Sequence, residues 1–350
     1  MATPLCRYFG SCGGCTSQHL EYEAQLEYKR KLVAAATGAE VRVFSGPAYA
    51  YRNRMDFAFH AGGLGLRERN NWKRIIDIAE CPISEPRVNA LLTEVRERCS
   101  DRAFRYAVLR AADDTCVSFV LDEDAQGKEE CVAAIRDYAK ASTADHVVVA
   151  FSEDTSVSQE WLAVKGTGIL TARILGRPFR FSSQGFFQNN TAMAESMVTY
   201  VRELLGSNPG ATLLDLYGGV GLFGVSCADL FRETHIVESA PEAAVAKENI
   251  ARGGVNAQFH GIDARQLGRL RLPKPVHVIA DPPRSGMEPA ALHALRSLEP
   301  ERIIYISCNP RQLKKDIPKL RMTVKNAALF DLFPQTPHIE AVVELCRTTP

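Results

Sequence analysis

The chain has 350 residues, is 46% hydrophobic and 24% charged, and carries a formal net charge of +1. This composition excludes collagen-like, coiled-coil and disordered chains, and near-neutrality excludes a histone-like polycation while leaving room for a local basic face. The length points to two domains. No apolar run approaches the ~20 residues of a membrane span, and Met1-Ala2-Thr3-Pro4-Leu5-Cys6 has neither the charge nor the apolar core of a signal peptide. The expectation is a soluble cytoplasmic monomer with no membrane partner.

The N-terminal residues carry a C-x5-C-x2-C run, Cys6, Cys12 and Cys15, and a fourth cysteine follows in Glu80-Cys81-Pro82. Gly10, Gly13 and Gly14 let the backbone curl around the run, so several sulfurs can aim at one point. Without an export signal a disulfide framework is disfavoured. Four cysteines with no histidine suit an iron–sulfur cluster or structural zinc, with unliganded thiols as the plain alternative. Cys99, Cys116, Cys131, Cys227 and Cys346 sit among apolar neighbours and read as small buried hydrophobes.

Residues 17–36 read as a helix. Tyr51–His60 alternates like a strand, Gly62-Gly63 makes a turn, and Leu64–Arg69 pairs back as a hairpin. Arg52, Arg54, Arg67, Arg69, Lys73 and Arg74 interleave with Tyr51, Phe57, Phe59 and Trp72. Cations for phosphate and rings for stacking suit RNA. A hairpin with one core face and one solvated basic face is the alternative. A helix over 86–98, two strands around Asp113-Asp114, a helix near 128–140, a strand at Val147–Phe151 and a short β segment through 160–181 follow.

Beyond about residue 180 apolar strands alternate with helices, which implies a parallel sheet covered on both faces. The strands are Thr212–Leu216, His235–Glu238, Ala257–His260, Val276–Asp281, Ile303–Ser307, Val324–Leu332 and Ala341–Cys346. Only Phe333–Glu340 joins the last two, too short for a parallel crossover, so they pair antiparallel. Seven strands ending in such a hairpin point to the Rossmann-like sheet of methyltransferases. The division follows: residues 1–180 as an α+β domain and 181–350 as an α/β catalytic domain.

Three loops at carboxyl ends of these strands carry chemistry. Gly219, Gly221 and Gly224 spell G-x-G-x-x-G, and Glu238 closes the next strand, placed for ribose hydroxyls. That pattern alone admits a nicotinamide. Asp215, just before the glycines, favours S-adenosylmethionine, because a carboxylate sits well beside a sulfonium and badly beside a pyrophosphate. Asp281-Pro282-Pro283-Arg284 is a stiff loop with Arg284 where amino-group methyltransferases place an aromatic residue. In Ser307-Cys308-Asn309-Pro310, Asn309 caps a helix and Pro310 opens it. Cys308 then lies at a helix N-terminus with Arg311, Lys314 and Lys315 nearby. Both features should lower its pKa and make it a nucleophile.

Together with Phe186-Phe187-Gln188-Asn189-Asn190 and Phe333-Pro334-Gln335-Thr336-Pro337-His338-Ile339-Glu340, these motifs resemble the RNA uridine C5-methyltransferase family. The resemblance implies that Cys6, Cys12, Cys15 and Cys81 hold a structural [4Fe–4S] cluster. It also implies that Gln188, Tyr217, Glu238 and Asp281 contact S-adenosylmethionine, that Cys308 adds to C6 of a uridine in tRNA or rRNA, and that Glu340 is the base. His338 competes with Glu340 for that last role. Where the family has Cys after the aromatic and Asn near the loop's end, this chain has Gly218 and Leu222. Many relatives also carry an N-terminal oligonucleotide-binding barrel, whereas here the cysteine motif begins at residue 6, so RNA grip falls to the cysteine region and the basic strands. An iron–sulfur, nicotinamide-dependent oxidoreductase is the rival reading. It leaves Asp281–Arg284 and Ser307–Pro310 without a role.

Overall fold

A computed structural model describes all residues except 62, 100–103, 241–243 and 348–350. Gly62 of the expected turn therefore lies outside the described residues. In chain order the first elements are α1 (Tyr22–Thr37), β1 (Val41–Phe44), β2 (Arg54–His60), β3 (Gly63–Glu68), β4 (Asn71–Asp77), α2 (Pro86–Arg98), β5 (Phe104–Ala111), β6 (Thr115–Leu121), α3 (Lys128–Ala141), β7 (His146–Phe151) and β8 (Trp161–Lys165). Then follow β9 (Ile169–Ile174), β10 (Arg177–Ser182), α4 (Thr191–Leu205), β11 (Asn208–Leu216), α5 (Leu222–Cys227), β12 (Phe231–Val237), α6 (Ala244–Gly253) and β13 (Ala257–His260). The chain closes with β14 (Val276–Ala280), α7 (Pro289–Ser297), β15 (Arg302–Ser307), α8 (Pro310–Leu320), β16 (Thr323–Phe330) and β17 (Glu340–Cys346). None of the described helices is long and apolar enough to cross a membrane.

The first large sheet runs β4-β3-β2-β5-β6-β7-β8 and is antiparallel except where β6 and β7 pair in parallel. One face is filled by Phe57, Phe104, Phe119, Val88, Leu92 and Tyr138, which join the sheet to α2 and α3. β4 was absent from the sequence reading: its outer residues, Asn71-Trp72-Lys73-Arg74, are exposed, so no apolar alternation marks it. It is the edge strand, and the charges there are the usual protection of a free edge.

The second sheet has eight strands, β1-β16-β17-β15-β14-β11-β12-β13, where seven were expected. The core of five parallel strands and the terminal β16–β17 hairpin match the expectation, with β17 inserted antiparallel between β15 and β16. The eighth strand comes from the N-terminal part. β1 pairs in parallel with the outer edge of β16, and Phe44 stacks on Phe330 with ring centroids 4.4 Å apart. Residues 22–44 therefore belong to the catalytic sheet, against the division at residue 180. The β9–β10 hairpin also joins that half: Leu170, Ile174, Phe179 and Phe181 pack in one core with Met193, Met197 and Phe223.

α1 departs from its sequence pattern in an informative way. Its buried side chains are Gln25, Lys29 and Val33, spaced by one helical turn, whereas Tyr28 is 60% exposed and Leu32 37%. The polar face is the inner one. It meets the loop between β16 and β17, and Gly38 ends the helix in the left-handed region at φ 70°, its N–H donating to Ala34 O.

Strand order reverses at β11, whose successors β12 and β13 lie to one side and β14 and β15 to the other. The crevice outside the carboxyl ends of such strands is where open α/β sheets bind ligands.

Candidate active site

At that crevice lies a cavity of about 780 Å³. Its walls include all six residues singled out for catalysis and cofactor contact: Gln188, Tyr217, Glu238, Asp281, Cys308 and Glu340. They arrive from six separate segments, so the fold brings together what the sequence keeps up to 152 positions apart.

The glycine loop is built by backbone constraint. Tyr217 takes a left-handed φ of 63°, a conformation costing about 1–3 kcal/mol that only the surrounding structure sustains. Gly219 (φ 53°) and Gly221 (φ 87°) continue the turn, and Gly221 starts α5. A Cβ at Gly218 would stand 2.6 Å from Ile236 Cγ2 and 2.9 Å from Asp215 Oδ2. The glycine that departs from the family pattern is thus required by this chain's own packing. Leu222 is buried and presents only an apolar wall to the cavity.

Asp215 does not do what the sequence suggested. It is fully buried behind the loop rather than in the cavity, where its Oδ2 accepts the Gly224 N–H at 2.7 Å. Its Oδ1 has no partner among the described residues, and burial pushes its pKa up to about 7. It braces the turn. The carboxyls that face the cavity are Glu238, Asp281 and Glu340. Glu238 accepts N–H groups from Gly219 (3.2 Å), Ser239 (2.7 Å) and Ala240 (2.9 Å), which fix its orientation at the end of β12. Burial raises Asp281 to about 7.

The fourth wall is Phe186–Asn190. Phe187 is buried in a stack on Phe181 (4.5 Å), and Asn190 caps α4 by accepting the Met193 N–H. Asn53, just before β2, holds this segment: its Nδ2 donates to Gln188 O at 3.1 Å and its N to Asn189 O at 3.0 Å. Asn189 Oδ1 is buried on this wall without a partner. An orphaned acceptor, two carboxylates, an aromatic residue and a glycine turn fit a cationic, amino- and hydroxyl-bearing nucleoside. Asn189 and Arg52, both in the cavity wall, were not singled out as site residues; their motifs were visible, but their facing the cavity depends on tertiary contacts.

Cys308 stands exposed at the cavity mouth, one residue before the α8 cap. Asn309 accepts N–H groups from Arg311 and Gln312 and donates Nδ2 to Arg284 O at 3.0 Å, so the cap and the D-P-P-R loop are tied. The thiol is not acidified. Desolvation by the cavity wall, then the Glu340 and Asp281 carboxyls, push it up to about 11, while Arg284 opposes them. Arg311, Lys314 and Lys315 point to solvent along α8. Glu340 opens β17, is 9% exposed, and is raised well above the ordinary carboxylate range by burial and by Asp281. His338, exposed in the same wall, is lowered by desolvation and by Arg284, Arg52 and Lys29.

The second cavity, about 790 Å³, lies on the other side of Arg52, which lines both. Cys6, Cys12, Cys15 and Cys81 all face it. Burial raises Cys6, Cys12 and Cys15, the last to about 11, and Cys81 adds to each shift. Gly14 N donates to Cys12 Sγ at 3.4 Å. Among the described residues, however, no group of three or more His, Cys, Asp or Glu is placed as the ligands of a metal ion.

The basic face expected for RNA is largely committed elsewhere. Arg54 pairs with Asp56 (2.8 Å), Arg74 with Glu68 (3.3 Å), and Arg67 donates to Trp72 O and to Tyr106 OH. Tyr51 and Phe57 are core residues. Trp72, 70% exposed, with Lys73 over its ring at 5.5 Å, remains outward.

The sequence matches the family tRNA (Uracil-5-)-methyltransferase over residues 19–271 and 268–348. It is 32% identical over 362 residues to the tRNA (uracil(54)-C(5))-methyltransferase of Pyrococcus abyssi, covering 98% of this chain and 85% of that protein. The Pyrococcus horikoshii enzyme of the same name is also 32% identical, covering 97% and 85%. The crystal structure of the Pyrococcus abyssi enzyme in complex with S-adenosyl-L-homocysteine superposes with a TM-score of 0.78 at 30% identity, covering 95% of this chain and 85% of that one. The chain belongs to the tRNA (uracil-5-)-methyltransferase family and is an S-adenosylmethionine-dependent RNA uracil C5-methyltransferase.

Proposed function

We propose that the enzyme methylates C5 of a uridine in tRNA through a covalent bond between Cys308 and C6 of the base. The observation that carries this is one cavity holding the Cys308 thiol, the Glu340 carboxyl and the cofactor-contacting walls together. The relatives' names favour tRNA over rRNA, and position 54 as the target.

C5 of uracil is a poor nucleophile. Addition of Cys308 Sγ to C6 forms a carbon–sulfur bond and moves the C5–C6 electron pair to C5 as an enolate. Gln188, Tyr217, Glu238 and Asp281 would hold S-adenosylmethionine, whose methyl group would pass to C5 as the sulfonium–carbon bond breaks and S-adenosylhomocysteine leaves. Once C5 carries the methyl it still bears its proton. Glu340 takes that proton, the double bond re-forms, and the thiolate leaves C6. Because burial favours the protonated thiol, a proton acceptor also serves the addition step. The Asp281 carboxyl shares that wall, which leaves Glu340 for the C5 proton.

The target base must leave its stack to reach Cys308. Trp72 and Lys73 at the sheet edge, with Arg52 between the two cavities, form the RNA approach in this reading. The four cysteines complete it as the ligands of a structural [4Fe–4S] cluster. Support comes from their sharing one cavity and from the all-thiol donor set that such a cluster would take. A nicotinamide reading gives Cys308 and Glu340 nothing to do.

The test is incubation with unmodified tRNA and labelled S-adenosylmethionine, followed by nucleoside mapping. The expected product is 5-methyluridine at a single position, lost in Cys308→Ala. Label on an amino group or a ribose would overturn the assignment.

A further inference from the structure

The loop Asp331–Ile339 ends on the proposed base, Glu340, yet its contacts run to a segment some three hundred positions earlier. Lys29, 1% exposed, donates Nζ to Asp331 Oδ1 at 2.6 Å and to Phe333 O at 3.1 Å. Tyr22 OH donates to Asp331 Oδ2 at 2.9 Å. Gln25, 3% exposed, accepts the Gln335 N–H at 3.1 Å and donates to Gln335 Oε1 at 3.0 Å. Gln335 O accepts N–H groups from Thr16 and Ser17, immediately after Cys15, and Tyr51 OH donates to Pro334 O. Gln335 itself is held at a left-handed φ of 67°.

Ordinary helix packing does not explain this arrangement. A helix that only had to bury a face would bury Tyr28 and Leu32, which α1 leaves outside. Polar side chains at the inner positions 25 and 29 instead match hydrogen-bonding groups of one loop, and four of the five residues 331–335 are held: Asp331, Phe333 and Gln335 through α1, Pro334 through Tyr51. Buried polar networks fully satisfied in this manner specify one conformation.

We propose that Gln25 and Lys29 are positioning residues for proton removal from C5. They hold the backbone of 331–335 so that Glu340, at the far end of the loop, faces the base bound to Cys308. The inference rests on the reading of Glu340 as the base. It assigns the α1 residues no contact with substrate. Loosening the brace should slow elimination while leaving addition and methyl transfer, which depend on Cys308 and the glycine-loop walls, nearly unchanged.

The experiment compares wild type, Gln25→Ala, Lys29→Met and Glu340→Gln on the same tRNA with S-adenosylmethionine. It reads single-turnover methyl incorporation, the fraction of protein in a methylated RNA adduct that survives denaturing electrophoresis, and the thermal midpoint. Gln25→Ala should release the adduct roughly tenfold more slowly, the scale of a small misplacement of a reacting group. Its methyl incorporation and KM for RNA should stay close to wild type. If Glu340→Gln accumulates adduct and Gln25→Ala does not, the brace is refuted and the base stands. If Gln25→Ala loses incorporation and release in equal measure, its role is general folding and the inference fails. Lys29→Met, where a fall in midpoint is expected, keeps the result readable because adduct partition is a ratio within the folded population. A Glu340→Gln that releases product normally overturns the base assignment and this inference with it.

Discussion

The two sides of the catalytic cavity are held in different ways. On the cofactor side the braces of the glycine loop are local: Asp215 to Gly224, Glu238 to Gly219, Ser239 and Ala240, all within one strand–turn–helix and its neighbour, and the long-range hold is the one Asn53 has on Gln188 and Asn189. On the base side the braces cross the molecule: Lys29 to Asp331 spans 302 positions and Gln25 to Gln335 spans 310. A local turn can form as soon as β11 and β12 pair. The base loop can reach its final shape only when the two ends of the chain meet, because a long loop must close before its contacts repay the entropy. Cofactor binding and proton removal should therefore respond to different mutations.

The sharpest break of that contrast is at the buried ion pair. Lys29→Met leaves Asp331 without its counterion in a fully buried site, and breaking such a pair costs about 3–5 kcal/mol. Urea unfolding should show that loss, with affinity for S-adenosylhomocysteine of the folded protein near wild type. Weakened cofactor affinity equal to the stability loss would mean that the two sides are one unit.

Next comes pH. Asp215 is raised from 3.8 to about 7, and Asp281 likewise. A carboxyl with a raised folded-state pKa contributes stability that is complete below the unfolded value and is lost as pH climbs through the folded value. The ligand-free protein should therefore lose stability between about pH 4 and pH 7, with no further loss from these groups above that. Asp215→Asn, which keeps an acceptor for Gly224 N–H, should flatten the slope. An unchanged slope would show that Asp215 is not the protonated brace described here.

A smaller effect is expected at Gly218. Alanine there meets Ile236 and Asp215 inside 3.0 Å, and overpacking of this kind costs about 1–3 kcal/mol. The double variant with Ile236→Ala should recover part of it. The smallest effect lies at the thiol. Cys308 should alkylate slowly at neutral pH and faster toward pH 11, and Arg284→Gln should shift that profile slightly upward. A thiol reactive at pH 7 in the free enzyme would contradict the influence assigned to Glu340 and Asp281.

Much of the site could be read before any coordinates, because its parts are short and local. Asn309 caps α8 and Pro310 opens it as their types require, the glycine loop turns where the glycines stand, and the β16–β17 hairpin follows from loop length alone. What stayed hidden depends on partners far along the chain. Gln25 and Lys29 look like a solvated face until residues 331–335 are set against them. Val41–Phe44 gives no sign that it will cover the edge of β16. The Cys308 pKa was misjudged for the same reason: the sequence displays the cations that follow it on α8, while the carboxyls that dominate it come from other strands. Most of the basic residues near 52–74 also make contacts within the fold, which their spacing in the sequence does not display.

The central claim is that Cys308 and Glu340 act on opposite ends of one covalent cycle. Mass spectrometry of Glu340→Gln after reaction with tRNA and S-adenosylmethionine tests it most directly. The expected species is a Cys308-containing peptide linked to a methylated uridine, trapped because its C5 proton cannot leave, and absent in Cys308→Ala. A linked uridine without the methyl group, or normal turnover with no linked species, would contradict the account.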